Sequence, residues 1–569
     1  MALFPRTRDS FHKTTLILAA VATLAACTGV PTPAPTPSSQ SSTPSPPPSA
    51  AKPTTTPAPP SPSASPDPGA RPLGWGPLQR DKDAAAAAVA AMTVEQKAGQ
   101  VLMPFFTGAD ATAHAATIER LHLAGSIIMG DNVPVDAQKQ VDPAAMAATT
   151  ARLAAAARAD GRTWPGLIGV DQEGGVVSRL GAPLTEWPAP MSYGAGGDAA
   201  LTKDAGRAVA SELAPLGFNV DFAPDTDVTI GPADPTIGAR SMSGNPDTAG
   251  ALGVAFSQGM QEAGVLPTVK HFPGHGSVTV DSHQDLPVQP ATVADLEARD
   301  WKPFRAAVAA GVPMVMTGHI AVPALEPGVP ASLSSPTYAA LRGMGFKGVA
   351  VTDALNMGAV QKQYPEGSAA VAALAAGADL LLMPTDVGQA HASIVGAVAG
   401  GRLSPARLDE AAQRVVTMMV WRGRTPASFP GTPPGSGQDL SARVSAAAVT
   451  VVAGPCSGPL VPGAVQVSGG SPQDRARFEA AAARAGLAIG GGPVVSLIGY
   501  GGAPAGGDIA VSLDAPWPLQ DSAAPVKVAL YGRSAGAFDA LAAVLAGKAT
   551  ARGKLPAAVG SIPAGTGCP

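Results

Sequence analysis

From about Leu78 to Arg424 the chain repeats one pattern: a short run of small and branched apolar residues ends in polar ones, and an Ala-rich stretch of helical character follows. The apolar runs are Gly99–Phe105, Ala124–Met129, Gly166–Val170, Asn219–Ala223, Leu266–Val269, Pro313–Met316, Gly348–Thr352 and Asp379–Met383. Near-continuous apolar strands imply burial on both faces, and hence a parallel sheet. Eight of them alternating with helices predict an α/β fold, a (β/α)8 TIM-type barrel over 78–424. A stretch rich in Pro, Gly and Ser predicts a linker over 425–440. Beyond it, 441–569 carries strand-like Val449–Ala453, Val494–Ile498, Ile509–Leu513 and Val526–Tyr531, with helix-like Asp474–Ala485 and Ala537–Leu545. This alternation predicts a smaller α/β layered domain.

The polar residues that close the runs carry the chemistry. The third run ends in Asp171, the fourth leads to Asp225 and Asp227, and the fifth ends in Lys270-His271. The sixth leads to His319 and the seventh ends in Asp353. Barrel enzymes gather their reactive groups at the C-terminal ends of strands, where those ends converge on one rim. Any one of these residues alone reads as a helix cap or a turn. Five such positions together predict a rim site.

Two segments stand out. Lys270-His271-Phe272-Pro273-Gly274-His275-Gly276 is followed by Asp281-Ser282-His283. Its glycines and proline forbid a regular helix, so a shaped loop leaves the fifth strand, and Gly274 and Gly276 are expected to let that loop move. A carboxylate two residues before a His can orient the imidazole and stabilise its cation, which suits His283 to donate a proton. In Val349-Ala350-Val351-Thr352-Asp353-Ala354-Leu355, the carboxylate of Asp353 at a strand end suits attack on an anomeric carbon.

Composition narrows the setting. The chain is 46% hydrophobic and 14% charged, enough for a sizeable core. A net charge of -4 gives no reason to expect nucleic acid. At the start, Arg6, Arg8 and Lys13 precede the apolar run Thr14–Ala26, too short to span a bilayer as a mature helix. The run ends in Leu24-Ala25-Ala26-Cys27, which looks like a bacterial lipobox. Residues 1–27 are therefore expected to be a lipoprotein signal peptide with Cys27 lipidated; the alternative is an ordinary signal peptide with an incidental Cys. Residues 28–77, dominated by Pro, Ser, Thr and Ala, are expected to form a disordered linker. In polyproline II form such a tether would reach on the order of 100 Å. The expectation is an exported protein held to the outer face of the cytoplasmic membrane by its lipid alone. Cys456 and Cys568 bracket the C-terminal region, and a disulfide between them is expected, with two free thiols as the alternative.

The KHFPGHG…DSH segment resembles the β-N-acetylglucosaminidase subgroup of glycoside hydrolase family 3. The resemblance runs over the barrel, through Ile168–Leu180, Phe222–Val228, Ile237–Ser241 and Phe346–Met357. More weakly, Val526 through Gly553-Lys554-Leu555-Pro556 resembles the αβα sandwich domain that often follows this barrel. The resemblance implies a retaining mechanism in which Asp353 forms a covalent glycosyl-enzyme and His283, backed by Asp281, is the acid/base, in place of the usual carboxylate pair. It also implies that Asp171, Arg179, Arg240, Lys270 and His271 contact the hydroxyls of a terminal N-acetylglucosamine. Two positions depart from the family: Val176 stands where Arg is common, and Ala354 where a second Asp is common. The implied activity is release of terminal β-linked N-acetylglucosamine from cell-wall or chitin-type fragments. No metal or cofactor is implied, and a monomer is favoured. Phosphorolysis, or another family 3 β-glycosidase activity, is the alternative.

Three rival readings meet specific obstacles in the sequence. His271, His275, His283, His319 and Asp281 could be metal ligands, but Pro273-Gly274 keeps His271 and His275 off a shared helix face. Gly532-Arg533-Ser534-Ala535-Gly536 fits a nucleophile elbow, but the last His of the chain is His391, before the Ser, so the motif reads as a strand-to-helix turn. An inactive wall-binding protein would not need the pair Asp353 and His283. Glu173 reads as structural, shaping the Gly174-Gly175 loop, and His122 and His391 as ordinary surface or helix residues.

Overall fold

The computed structural model describes residues 67–365, 367–499, 502 and 506–569. The segment ending at Cys27 and the tether up to residue 66 lie outside the described residues.

The eight expected runs form eight short strands: β1 Leu102–Met103, β2 Gly125–Ile127, β3 Leu167–Val170, β4 Val220–Asp221, β5 Leu266–Phe272, β6 Met314–Thr317, β7 Val349–Thr352 and β8 Leu381–Leu382. β2 through β7 pair in sequence order, all parallel, and β8 pairs with β1. Two seams close the ring: Thr352 N–H donates to Leu380 O at 3.0 Å, and Ala124 N–H donates to Leu102 O at 3.1 Å. This is the (β/α)8 barrel expected from alternation, with strand side chains almost wholly buried.

The first run is shorter than expected. Gly99 and Gln100 end a helix, Val94–Gln100, that Thr93 and Gln96 start with a reciprocal cap. The cap outweighs the apolar reading of those residues. At the N-terminal end of β8, buried Asp379 takes Arg342, Arg407 and Arg414, a structural knot at the end opposite the rim. Burial would raise its carboxyl, but the three guanidiniums hold it below the ordinary range.

Both linker boundaries need correction. Residues 67–77, expected to belong to the tether, are part of the packed body: Leu73 N–H donates to Pro77 O at 2.9 Å, and buried Trp75 sits edge-on to Trp421 of the helix Pro405–Arg424. One buried Trp offsets the disorder-prone composition around it. Residues 425–440 are likewise packed. Ser428 N–H bonds Glu262 O, Thr432 N–H bonds Ser211 O, Arg207 covers the Phe429 ring, and Glu212 accepts from the amides of Gly435 and Gly437. A helix, Gln438–Ala448, starts inside this stretch.

The second domain has a five-stranded sheet: β9 Thr450–Ala453, β10 Ala464–Gly469, β11 Ala488–Ile498, β12 Ile509–Ser512 and β13 Val526–Ala529. Their order is β9-β13-β12-β11-β10, with β9 antiparallel and the rest parallel. β10 was not expected; it is an edge strand in which only Val465 is fully buried. One sheet face packs Val495, Leu497, Val511 and Val528 against Phe478 and Phe538 of the helices Pro472–Arg484 and Ala535–Leu545. The other face sets Ile498, Ala510 and Ala529 in a buried cluster with Met191 and Ala195 of the barrel domain and Leu555 and Val559 near the chain's end. Cys456 and Cys568 are joined by a disulfide. Ser534 caps the helix Ala535–Leu545, its Oγ accepting from Ala537 N–H, so the elbow-like motif is a helix start.

Candidate active site

The rim residues meet at the C-terminal ends of the strands, around a cavity of about 440 Å³. Asp171, Glu173, Arg179, Arg240, Lys270, His271, His283 and Asp353 all line it.

Asp353 follows β7. Its backbone N–H donates to Thr317 O at 2.9 Å, and its Oδ1 accepts from Ala354 N–H at 2.7 Å. Burial would raise its pKa, but the imidazoles of His271 and His319 in their charged forms, the Ala354 amide and His283 outweigh that and hold it well below the ordinary carboxylate range, so that it is already ionised where those rings are neutral. A carboxylate held ionised at a strand end is the state a nucleophile needs. His319 braces this turn. A carbonyl only accepts, so His319 Nε2–H donates to Ala354 O at 2.9 Å and Nδ1 accepts from Ser332 Oγ at 2.6 Å. Burial lowers the His319 pKa, so it serves as a neutral strut.

Opposite, a chain of charges runs through the sugar-contact candidates. Arg179 Nη2 lies 3.2 Å from Asp171 Oδ2, and Lys270 Nζ lies 3.0 Å from Asp171 Oδ1. Lys270 also reaches Glu173 Oε1 at 2.6 Å, and Arg240 takes Glu173 through Nε and Nη2, each at 2.8 Å. Burial alone would raise Glu173, but Arg240 and Lys270 hold it well below the usual carboxylate range. Glu173 is thus the hub of the chain. Its reading as a loop-shaping residue is incomplete, since its partners lie far off in sequence. The Gly174-Gly175 turn beside it is fixed by packing: a Cβ on either residue would meet Pro188 O or Ala189 Cα at 2.7 Å, and both have positive φ.

His271 is held from behind. Its Nδ1–H and backbone N–H donate to Asp227 Oδ2 at 2.7 and 3.1 Å, and Asp227 Oδ1 takes His275 N–H. Burial lowers the His271 pKa to about 4, so the ring is neutral at pH 7 with Nε2 left over. Burial raises Asp225 to about 8 and Asp227 to about 7. Asp225, Asp227 and His271 bring ligand-type atoms within 4.8 Å of one another. Their mutual hydrogen bonds, and Arg240 Nη2 at 3.5 Å from Asp225 Oδ2, already give these atoms a role. The histidine set read as a metal cluster is not assembled: His275 Nε2 pairs with Ser282 Oγ, His319 with Ser332 and Ala354, and His283 with Asp281.

The His283–Asp281 dyad forms as expected, Nδ1 to Oδ1 at 2.7 Å, with His283 N–H donating to the same oxygen at 3.0 Å. His283 lines the cavity with its side chain 62% exposed. Two bonds tie the dyad loop to the segment after Asp353: Gly358 N–H and Ala359 N–H donate to His283 O and Ser282 O, both at 3.3 Å. Gly274 and Gly276, expected to let this loop move, lie in close packing. A Cβ on Gly276 would lie 2.6 Å from Val228 O, and one on Gly274 2.6 Å from Asp300 Cβ. These glycines permit close packing, and Arg299 adds bonds to Val228 O and Thr229 O.

Comparison with known proteins gives this geometry relatives. The family model described as the Glycosyl hydrolase family 3 N terminal domain matches residues 93–418. Beta-hexosaminidase A of Pseudoalteromonas piscicida is 33% identical over 369 residues, 59% of this chain and 60% of that protein. Beta-hexosaminidase LpqI of Mycobacterium tuberculosis is 36% identical over 270 residues, 46% of this chain and 69% of that protein. The solved family 3 beta-N-acetylglucosaminidase from Paenibacillus sp. str. FPU-7 superposes with a TM-score of 0.73 at 30% identity, over 82% of this chain and 99% of the other.

Proposed function

We propose, since the chain belongs to glycosyl hydrolase family 3, that it is a retaining exo-β-N-acetylglucosaminidase. The observation that carries this is the placement of an ionised Asp353 and a His–Asp dyad on one small cavity with a ring of sugar-binding donors and acceptors. In the first step an Asp353 carboxylate oxygen attacks the anomeric carbon, while His283 Nε2–H passes its proton to the departing glycosidic oxygen. In the second, neutral His283 takes a proton from water, whose oxygen attacks the same carbon and releases Asp353. Asp281 holds the ring and stabilises the cation that donates in the first step and re-forms in the second. Asp171, Arg179, Arg240, Lys270 and His271 hold the sugar's hydroxyls, and a cavity of about 440 Å³ suits one terminal residue, hence exo action. The relatives named as hexosaminidases and as a beta-N-acetylglucosaminidase support the 2-acetamido preference.

The proposal extends to cell-wall or chitin-type fragments as the natural substrate, and to export with lipid anchoring at Cys27, for which the sequence up to Cys27 is the support. The deciding assay compares aryl β-N-acetylglucosaminide with aryl β-glucoside. Cleavage of the first, and its loss in Asp353→Ala, is the expected result; preference for the second overturns the subgroup reading.

A further inference from the structure

The motif Gly553-Lys554-Leu555-Pro556 takes no part in the chemistry above, yet it touches the loop that delivers Arg240. We infer that the second domain positions the sugar site: its tail, 554–559, clamps the loop 229–244, and the Cys456–Cys568 bond holds that tail in place. The inference rests on the reading of Arg240 as a sugar contact.

The loop has little structure of its own. It contains one short 3-10 turn, Gly238–Arg240, and its inner side is organised by Asp234, whose carboxylate accepts from Ile237 N–H at 2.8 Å and Gly238 N–H at 3.1 Å. Its outer side rests on the tail. Pro556 O accepts from Ser243 Oγ at 2.8 Å and from Gly244 N–H at 3.0 Å. Leu555, Val559 and Ala239 share one buried cluster. A Cβ on Gly244 would come within 3.2 Å of Ala557 Cβ, so the two segments are in direct packing contact.

The tail is fixed in turn by the chain's end. Leu555 N–H donates to Thr566 O and Gly565 N–H to Leu555 O, both at 2.8 Å, and Lys554 Nζ reaches Gly567 O at 3.1 Å. Cys568, next along, is bonded to Cys456 in the loop after β9. The anchorage therefore runs from the disulfide through Leu555 and Pro556 to Ser243 and Gly244, and from there to the backbone of Arg240. Glu173 sets the direction of the guanidinium, and the tail sets where its backbone stands. A binding group needs both, because a displacement of about 1 Å is enough to spoil such contacts.

Two measurements test this on the full chain. The first is amide hydrogen exchange in 237–244, which needs no substrate. In Leu555→Ala, and in wild-type protein reduced at the disulfide, exchange there should accelerate roughly tenfold or more while β7 is unchanged. The second is kinetics on aryl β-N-acetylglucosaminide. Ser243→Ala and Leu555→Ala should raise KM about five- to tenfold with kcat within about twofold, Leu555→Met should restore KM, and Ser243→Ala should add nothing in an Arg240→Ala background. Unchanged exchange, an unchanged KM in folded variants, or an equal KM rise without Arg240 overturns the inference. If Leu555→Ala does not fold, Ser243→Ala, which removes one hydroxyl, decides the matter. A wild-type protein inactive on this substrate would overturn the proposed activity, and hydrogen exchange would still decide whether the tail holds the loop.

Discussion

Glu173 receives Arg240 on both carboxylate oxygens at 2.8 Å, and Lys270 on one of them at 2.6 Å, with its side chain fully buried. Two cations that line the cavity are therefore aimed by one buried anion. Glu173→Gln keeps the shape and removes the charge, leaving both cations short of a partner. Breaking one side of a buried pair costs about 3–5 kcal/mol, shared between stability and site geometry. The expected outcome is a fall in kcat/KM of about a hundredfold and a clearly lower Tm. Steady-state kinetics and a thermal melt of the same preparation check it.

His283 gives the opposite prediction. Its side chain is 62% exposed and its one strong partner is Asp281, so His283→Ala should leave Tm within about 1 °C. Its loss of activity should depend on the leaving group, small for an aryloxide that departs without a proton and about 10²–10⁴-fold for a sugar alcohol. Asp281→Asn should follow the same order with smaller losses. A loss that ignores the leaving group would remove His283 from the acid role.

The barrel was legible in the sequence because strands buried on both faces leave apolar runs, and because rim chemistry puts polar residues at their ends. Asp353 stood out for that reason, and His283 with Asp281 because a carboxylate two residues before a His can orient its ring. Glu173 did not, because its meaning lies in Lys270 and Arg240, distant in sequence and joined only when the ends of β3 and β5, on either side of β4, converge on the rim. Asp227 was marked as a strand-end acid, but its grip on His271 and on the His275 amide depends on how the loop turns back. Composition misled where packing is local: Trp75 orders a segment that reads as tether, and the stretch from 425 to 440 lies on barrel helices through backbone bonds that any residue can make.

Buried carboxylates behind the site predict an alkaline weakness. Burial, with Asp227 beside it, raises Asp225 from 3.8 to about 8. A carboxyl whose folded pKa is raised binds more protons in the folded state, so its contribution to stability is full below about pH 4 and is lost as pH rises through about 8. Asp225→Asn cannot ionise and should lose part of this decline. Melting temperatures at pH 6 and pH 9 test it: the drop should be larger in wild type than in the variant, and equal drops would show that Asp225 does not titrate between these pH values.

Gly276→Ala separates packing from mobility in the loop that leads to His283. Gly276 does not have a positive φ, so a side chain there is not excluded by backbone conformation. It is excluded by neighbours, since the added Cβ would lie 2.6 Å from Val228 O and 3.0 Å from Thr229 N, both backbone atoms that a side-chain rotation cannot clear. The loop would have to move away from Val228, straining the bond from Ile230 N–H to Gly276 O and the two that Arg299 makes to Val228 O and Thr229 O. Overpacking of this kind costs about 1–3 kcal/mol. The same displacement carries His275, and with it Ser282, away from the cavity, because His275 Nε2 and Ser282 Oγ are 2.8 Å apart. Gly276→Ala should therefore lower Tm and reduce kcat together. If the glycine instead served a hinge, kcat would fall with Tm unchanged or raised, and a melt beside a rate measurement tells the two apart.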